Sequence, residues 1–420
     1  RRGRVVLWAN EFPSPSETFI VALVLGLIER GWDVHVACRT CDAERWQRFP
    51  ALDRELGRRR LHVVASRGRP LRWAASVARG ALAALTHPVV GLRWARAVGR
   101  RAPSQRAASL ALGALCVRLR PELVHFQFGA HAIGRLHVGD DVGCRTVVSF
   151  RGYDLNYAGL EVPGFYDEVW RGTDAVHVLG RDLADRAERR GRPADLPVVM
   201  IPPAVDLARL PAPHPPTDGP LRLVSVGRLH WKKGHEWTLA ALARLRADGV
   251  DAVLRIVGGG PHEPAIRAAV AELGLDGAVE LTGFVSHDEV AEHLAWSDVL
   301  VHLAVSEGFG NAVLEAQAMG RPVVCSDADG LRENVEDGVT AIVVPRRDAD
   351  AAAAALRDLA GRGRSAMRAM GEEGRCRVVG RFGRAEQMDR FEALYAAVVA
   401  APRRADGRRP ALTGPGTPPG

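Results

Sequence analysis

Long apolar runs are absent: nowhere in the 420 residues do 18 apolar positions follow one another without a charge, the length a helix needs to cross a bilayer. A soluble or peripherally bound chain is therefore expected, in the cytoplasm or on the inner face of the cell membrane. Cysteine is scarce. The six residues Cys38, Cys41, Cys116, Cys144, Cys325 and Cys376 are too scattered for a disulfide framework, which favours a reducing compartment. Cys38-Arg39-Thr40-Cys41 has redox or zinc spacing, but no second pair or His-rich segment completes a metal site, and a structural role is the plainer reading. Glycine is missing from Asn10-Glu11-Phe12-Pro13, just after the first expected strand. This argues against a dinucleotide-binding turn, and with it a Rossmann-type oxidoreductase or epimerase. Acidic residues are missing from Leu56 to Pro121, where fourteen arginines carry the basic balance of a chain with net charge +8. Trp73, Val77, Leu82, Leu85, Val89, Leu92, Trp94 and Val98 alternate with those arginines. Amphipathic helices lying on an anionic bilayer would read this way, and so would a solvated basic face. No helix-turn-helix, zinc-finger or aromatic RNA-binding signature is present, so nucleic acid is not an expected partner.

What remains is ordinary globular composition, 47% hydrophobic and 25% charged, long enough for two domains. Arg4–Asn10 reads as a buried strand. Ser14-Pro15-Ser16-Glu17 reads as a capping box with proline at the first helical position, followed by a helix from Thr18 to Arg30 that Gly31 ends. Val34–Cys38 follows as a strand, and this β-α-β order implies a parallel sheet. Leu123–Phe126, Thr146–Phe150, Ala175–Leu179 and Val198–Ile201 continue it. Seven prolines between 202 and 220 stop regular structure and mark a linker. The alternation resumes with Leu221–Val226, Val253–Val257, Val279–Leu281, Val299–Leu303, Val323–Cys325 and Ile342–Val344. The expected architecture is α/β: two doubly wound domains, 1–203 and 221–380, joined by residues 204–220, with strand ends facing a cleft. The Pro-, Gly- and Arg-rich stretch 402–420 is expected to be disordered.

The most informative segment is Ser306-Glu307-Gly308-Phe309-Gly310-Asn311-Ala312-Val313-Leu314-Glu315-Ala316. Two carboxylates eight positions apart bracket a glycine turn and the start of a helix. Unpaired amides at a helix start can hold phosphate, and Glu307 and Glu315 can face a ligand lying across it. A sugar nucleotide has that shape, with hydroxyls at each end and diphosphate between. Taken alone, the segment also fits an ordinary strand-to-helix turn with a solvated glutamate. Gly227-Arg228-Leu229 and Lys232-Lys233-Gly234 bring cations to the same sheet edge, where they could clamp a diphosphate. Gly258-Gly259-Gly260-Pro261 permits close backbone approach, and Thr282-Gly283-Phe284-Val285 ends a strand where a flat base could rest.

The order of these motifs, with Gly330 to Gly338 after them, resembles a family 4 glycosyltransferase of the GT-B fold, two Rossmann-like domains facing across a cleft. The resemblance covers about residues 4 to 400, and Phe12-Pro13-Ser14-Pro15-Ser16-Glu17-Thr18-Phe19-Ile20 is similar to the colanic-acid and exopolysaccharide branch. It implies Arg228 and Lys233 on the donor diphosphate, Glu307 on the transferred sugar and Glu315 on the ribose. It further implies donor contacts from Gly227, Gly259, Phe284, Val285, Gly308, Phe309, Gly310, Asn311, Ala312 and Val313. In the N-terminal domain it implies an acceptor site with Glu17, Thr18, Gln127, Tyr153 and Asp154, beside His125 and Arg151 as catalytic candidates. Arg151 stands where relatives usually carry histidine, so no imidazole base is available there. His125 ends a strand and either points into the cleft or is a hydrogen-bonded core residue. A helix at 381–401 would pack back on the N-terminal domain.

The implied enzyme is a retaining hexosyl- or N-acetylhexosaminyl-transferase with a nucleoside-diphosphate-sugar donor, no cofactor and no metal. In agreement, no Asp-x-Asp metal motif is recognised between the strands that would need one. A lipid-linked or exopolysaccharide acceptor is favoured; a small aminocyclitol or natural product is the alternative. A non-catalytic sugar- or membrane-binding protein on a transferase scaffold stays as a remoter reading.

Overall fold

A computed structural model of the chain describes residues 2–14, 17–64, 70–99, 103–211 and 219–402. The chain divides into two compact units. One comprises residues 1–179, 183–201 and 388–420, the other 180–182 and 202–387.

The first unit is built on seven strands, β1 (Arg2–Glu11), β2 (Trp32–Thr40), β3 (Leu61–Val63), β4 (Leu123–Phe126), β5 (Arg145–Phe150), β6 (Ala175–Val178) and β7 (Val198–Met200). They pair in parallel in the order β3-β2-β1-β4-β5-β6-β7. Strands β4, β5 and β6 are buried throughout, as a sheet covered on both faces requires. The order reverses between β1 and β4, which puts the topological switch point at their carboxyl ends. The edge strand β3 was not expected: three half-buried residues are too few to display a period.

The first helix spans Thr18–Glu29 and presses Ile20, Val21, Leu23, Val24 and Leu27 into the core. It starts later than the expected capping box requires. Thr18 is its first residue, Glu17 occupies the cap position without a side-chain bond, and Pro15 and Ser16 lie outside the described residues. Gly31, at φ +84, ends it in the left-handed conformation that side chains disfavour. The last helix, Arg384–Ala400, lays Met388, Phe391, Leu394, Tyr395 and Val398 into the same core. Its contact with the first helix is close: a methyl on Gly26 would meet Met388 Sδ at 2.4 Å.

The second unit repeats the plan with β8 (Leu221–Val226), β9 (Ala252–Val257), β10 (Val279–Gly283), β11 (Val299–His302), β12 (Val323–Ser326) and β13 (Ala341–Val344), ordered β10-β9-β8-β11-β12-β13 and parallel. Its switch point lies between β8 and β11. The proline-rich stretch is less irregular than expected: Val205 bridges to Gly383, and Leu207–Arg209 forms a 3-10 turn within this unit. Residues 212–218, and the tail beyond 402, lie outside the described residues.

Candidate functional site

At the switch point of the second unit the loops after β8 and β11 are bound together. Val305 and Ser306 donate backbone bonds to the Lys232 carbonyl, at 2.8 and 3.3 Å. Gly234 makes this approach possible: at φ +65, a Cβ there would sit 1.9 Å from the Leu303 carbonyl oxygen. The Lys233 side chain folds back over Gly227, 3.5 Å from where a Cβ would stand, and reaches Glu307 as an ion pair. On its other side the same carboxylate oxygen accepts from His302 Nε2 at 3.2 Å, while Glu307 Oε1 accepts from the Gly308 amide at 3.2 Å. Burial would raise the Glu307 carboxyl, but the Lys233 charge and the His302 bond hold it well below the usual carboxylate range. His302 is buried at the end of β11, and that burial lowers its pKa, so it meets Glu307 as a neutral ring that donates.

The helix Asn311–Ala318 starts three residues beyond Gly308. Gly310 is its cap at φ +92 and supplies no side chain. Asn334 holds the turn, donating from Nδ2 to the carbonyls of Phe309 at 2.6 Å and Gly310 at 2.9 Å. Asn311 is exposed at the tip, Ala312 is half-buried, and Glu315 is half-buried one turn in. The side chains of Phe309 and Val313, expected at the donor, turn inward. Both are buried, Phe309 against Phe382, so they anchor the tip and present no side chain to a ligand. Arg228 is exposed beside this group. Gly259 lies under the ring of Phe284, which is 76% exposed and open to stacking, whereas Val285 packs against the core.

The sequence does contain an Asp-x-Asp here, Asp327-Ala328-Asp329, directly after β12. Its carboxylates are engaged in holding the loop. Asp329 accepts from Ser306 Oγ and from the Glu307 amide at 3.2 Å, and Arg346 bonds both aspartates at 3.3 Å. Among the described residues no cluster of three or more His, Cys, Asp or Glu is placed to hold a metal ion. Sequence reasoning passed over His302, Asp329 and Asn334. For His302 a signal existed: an imidazole closing an otherwise apolar strand.

The corresponding edge of the first unit is arranged differently. His125 is fully buried, its Nδ1 2.7 Å from the Tyr395 hydroxyl and its Nε2 2.7 Å from Ser149 Oγ. Ser149 continues to His177 Nδ1 at 2.7 Å, and His177 to the Ile201 carbonyl at 2.9 Å. Burial lowers the His125 pKa well below its ordinary value. This is the geometry of the core alternative: His125 fastens the last helix to the sheet with its ring fully buried. Asp154 is corrected in the same way. Fully buried, it accepts from the amides of Ala130 at 2.9 Å and Arg151 at 3.0 Å, and burial pushes its carboxyl up to about 6. Arg151 is half-buried, its guanidinium 3.7 Å from the Phe19 ring centre and 3.3 Å from the Gln127 carbonyl. Gln127 is fully buried and bonds Arg151 through Oε1 at 3.4 Å, leaving Nε2 without a partner among the described residues. Glu17 and Thr18 are half-buried at the start of the first helix, and Tyr153 is exposed, stacked on Tyr157.

Parallel-sheet units of this order are doubly wound α/β folds, and the cations and helix tip of the second unit stand at its switch point, where such folds bind ligands. Residues 220–362 match the family model described as Glycosyl transferases group 1. The chain is 26% identical to the colanic acid biosynthesis glycosyltransferase WcaL, as that Salmonella typhimurium protein is named, over 84% of this chain and 89% of that one. It is 36% identical to the alpha-D-kanosaminyltransferase of Streptomyces kanamyceticus over 29% of this chain and 31% of that protein. Among solved structures, Anabaena HepE in complex with UDP-glucose superposes with a TM-score of 0.71 at 16% identity, over 94% of this chain and all 100% of that one. The fold is GT-B, and the chain is similar to group 1 glycosyltransferases over residues 220–362 and to the colanic acid glycosyltransferase over most of its length.

Proposed function

We propose that the protein moves a hexosyl or N-acetylhexosaminyl group from a nucleoside-diphosphate sugar to a hydroxyl of a saccharide acceptor, with retention of anomeric configuration and without a metal. The observation that carries this reading is the junction of Lys233, Glu307 and the Gly310-capped helix at one switch point, with Arg228 beside it. A departing diphosphate gains negative charge, and fixed cations together with helix-tip amides stabilise it without reorganising. In this reading Arg228, Lys233 and the amides at Asn311 and Ala312 hold the diphosphate, Glu307 orients the sugar, Glu315 meets the ribose and Phe284 covers the base. The acceptor oxygen attacks the anomeric carbon on the face from which the diphosphate leaves, so the protein supplies position and charge and needs no nucleophile of its own. The first unit is proposed to bind the acceptor, with Arg151, Tyr153, Glu17 and Thr18 as its candidate contacts.

An exopolysaccharide or lipid-linked intermediate is favoured as acceptor by the similarity to WcaL over 84% of this chain. The shorter likeness to the kanosaminyltransferase favours the second reading, a small aminocyclitol or natural product. Incubating purified protein with UDP-, GDP- and ADP-sugars and each acceptor class, read by mass spectrometry with EDTA present, tests the proposal. The expected outcome is a new glycoside and one released nucleoside diphosphate. If no donor in the panel is consumed, the chain is a binder and the proposal fails.

A further inference from the structure

The arginine-rich segment of the first unit folds as three helices, Pro70–Thr86, Pro88–Gly99 and Pro103–Leu119. Small residues fit them together. A methyl on Gly80 would meet Ala114 Cβ at 2.3 Å, one on Gly91 would meet Ala84 Cβ at 2.5 Å, and Gly113 admits the edge of the buried Trp94. The inner faces also bury Leu112, Leu115 and Val117. Four large apolar residues nevertheless face outward: Leu82 is 67% exposed, Leu85 77%, Val89 66% and Leu92 51%. Of twelve exposed large hydrophobics among the described residues, these four fall within eleven positions around the turn at His87. Their spacing is helical, Leu82 to Leu85 before the turn and Val89 to Leu92 after it, so each helix carries an apolar outer stripe near the tip. Behind the tip, Arg79 on one helix and Arg93 and Arg96 on the other are exposed, and their own segment, Leu56 to Pro121, holds no acidic residue, the nearest helix with carboxylates being Val138–Val142 with Asp140 and Asp141.

We infer that this helical hairpin docks the protein on an anionic lipid bilayer, inserting the Leu82, Leu85, Val89 and Leu92 tip among acyl chains while the three arginines meet lipid phosphates. An apolar patch alone would fit many partners. A patch whose own two helices carry exposed arginines and no carboxylate fits a surface that is apolar within and negatively charged at its boundary. No helix among the described residues is long and apolar enough to cross a membrane, so the contact would lie in the interface. The inference is independent of the proposed transfer reaction and would place the acceptor site of the first unit near lipid-borne substrates.

The full chain is tested by flotation with phosphatidylcholine vesicles and with vesicles containing about one-third phosphatidylglycerol. Binding at least about tenfold stronger to the anionic vesicles, weakened by added salt, is expected. The variant carrying Leu82→Ser, Leu85→Ser and Val89→Ser, and separately the one carrying Arg79→Gln, Arg93→Gln and Arg96→Gln, should each lose about tenfold in binding. Both should keep the wild-type circular dichroism spectrum and wild-type transfer to a soluble acceptor, because every substituted side chain is exposed. Binding unchanged in both variants would overturn the inference. So would a self-associating species in vesicle-free sedimentation that the leucine variant abolishes, since the tip would then be an interface with a second copy.

Discussion

The two units share a sheet order and set polar residues at the same switch point, yet they use them for opposite ends. In the second unit Lys233 and Glu307 stand together at a glycine-capped helix tip, half-buried and within reach of a ligand. In the first, His125, Ser149 and His177 form a closed chain running from Tyr395 to the Ile201 carbonyl, with no path to solvent. A polar group at a strand end is therefore not in itself a site. It becomes one where its partners leave it an open side, and it becomes a fastener where burial obliges every polar atom to be paired.

The comparison is broken most forcefully at Lys233 and His125. Lys233→Ala, or Arg228→Ala, should lower kcat/KM by about 10²- to 10³-fold while the circular dichroism spectrum is kept, the scale of losing a preorganised charge-stabilising group. Normal turnover in either variant removes that residue from the donor site. His125→Ala should behave in the opposite way. Losing a buried ring and its bonds to Tyr395 and Ser149 should cost about 2–4 kcal/mol in chemical denaturation, with kcat per folded molecule within a few-fold of wild type. A catalytic collapse without destabilisation would restore His125 as an active-site residue.

Smaller effects sharpen the same contrast. His302→Leu should reduce kcat by about tenfold, because Glu307 loses one of the groups that aim it, and His302→Asn, which retains a donor, should recover part of the loss. Equal loss in both variants would show that the imidazole acts otherwise. The carboxyls of Glu307 and Asp154 should also leave opposite marks on stability against pH. Glu307 is held below its unfolded value of 4.5, so its contribution is present above that pH and fades as pH falls. Asp154 is raised from 3.8 to about 6, so its folded form prefers the proton, and stability falls as pH climbs between those values. Differences in Tm between wild type and Glu307→Gln, and between wild type and Asp154→Asn, should carry these opposite slopes. Matching slopes would contradict the burial and pairing assigned to one of them.

Much of this was legible in the residues. Leu123–Phe126 and Leu221–Val226 are bounded by turn chemistry and coincide with β4 and β8. The Glu307 to Glu315 segment was readable as a glycine turn opening a helix, and Asn311–Ala318 is that helix. What stayed hidden depends on packing. Nothing local distinguishes His125, paired with a tyrosine 270 positions away, from an imidazole facing a ligand. The pair Asp327-Ala328-Asp329 was passed over in the sequence, and its role in holding the loop is visible only through the bonds from Arg346 and Ser306. The exposure of Leu82 and Leu85 is likewise set by packing, because the same helices bury Trp94, Leu112 and Leu115 on their inner faces.

The most direct measurement is a crystal structure of the protein with a non-hydrolysable form of whichever nucleoside-diphosphate sugar it consumes. The account predicts diphosphate oxygens within hydrogen-bond distance of Arg228, Lys233 and the amides at Asn311 and Ala312, with Glu307 against the sugar. A donor bound away from this helix tip, or a diphosphate that leaves the Lys233–Glu307 pair untouched, would contradict it.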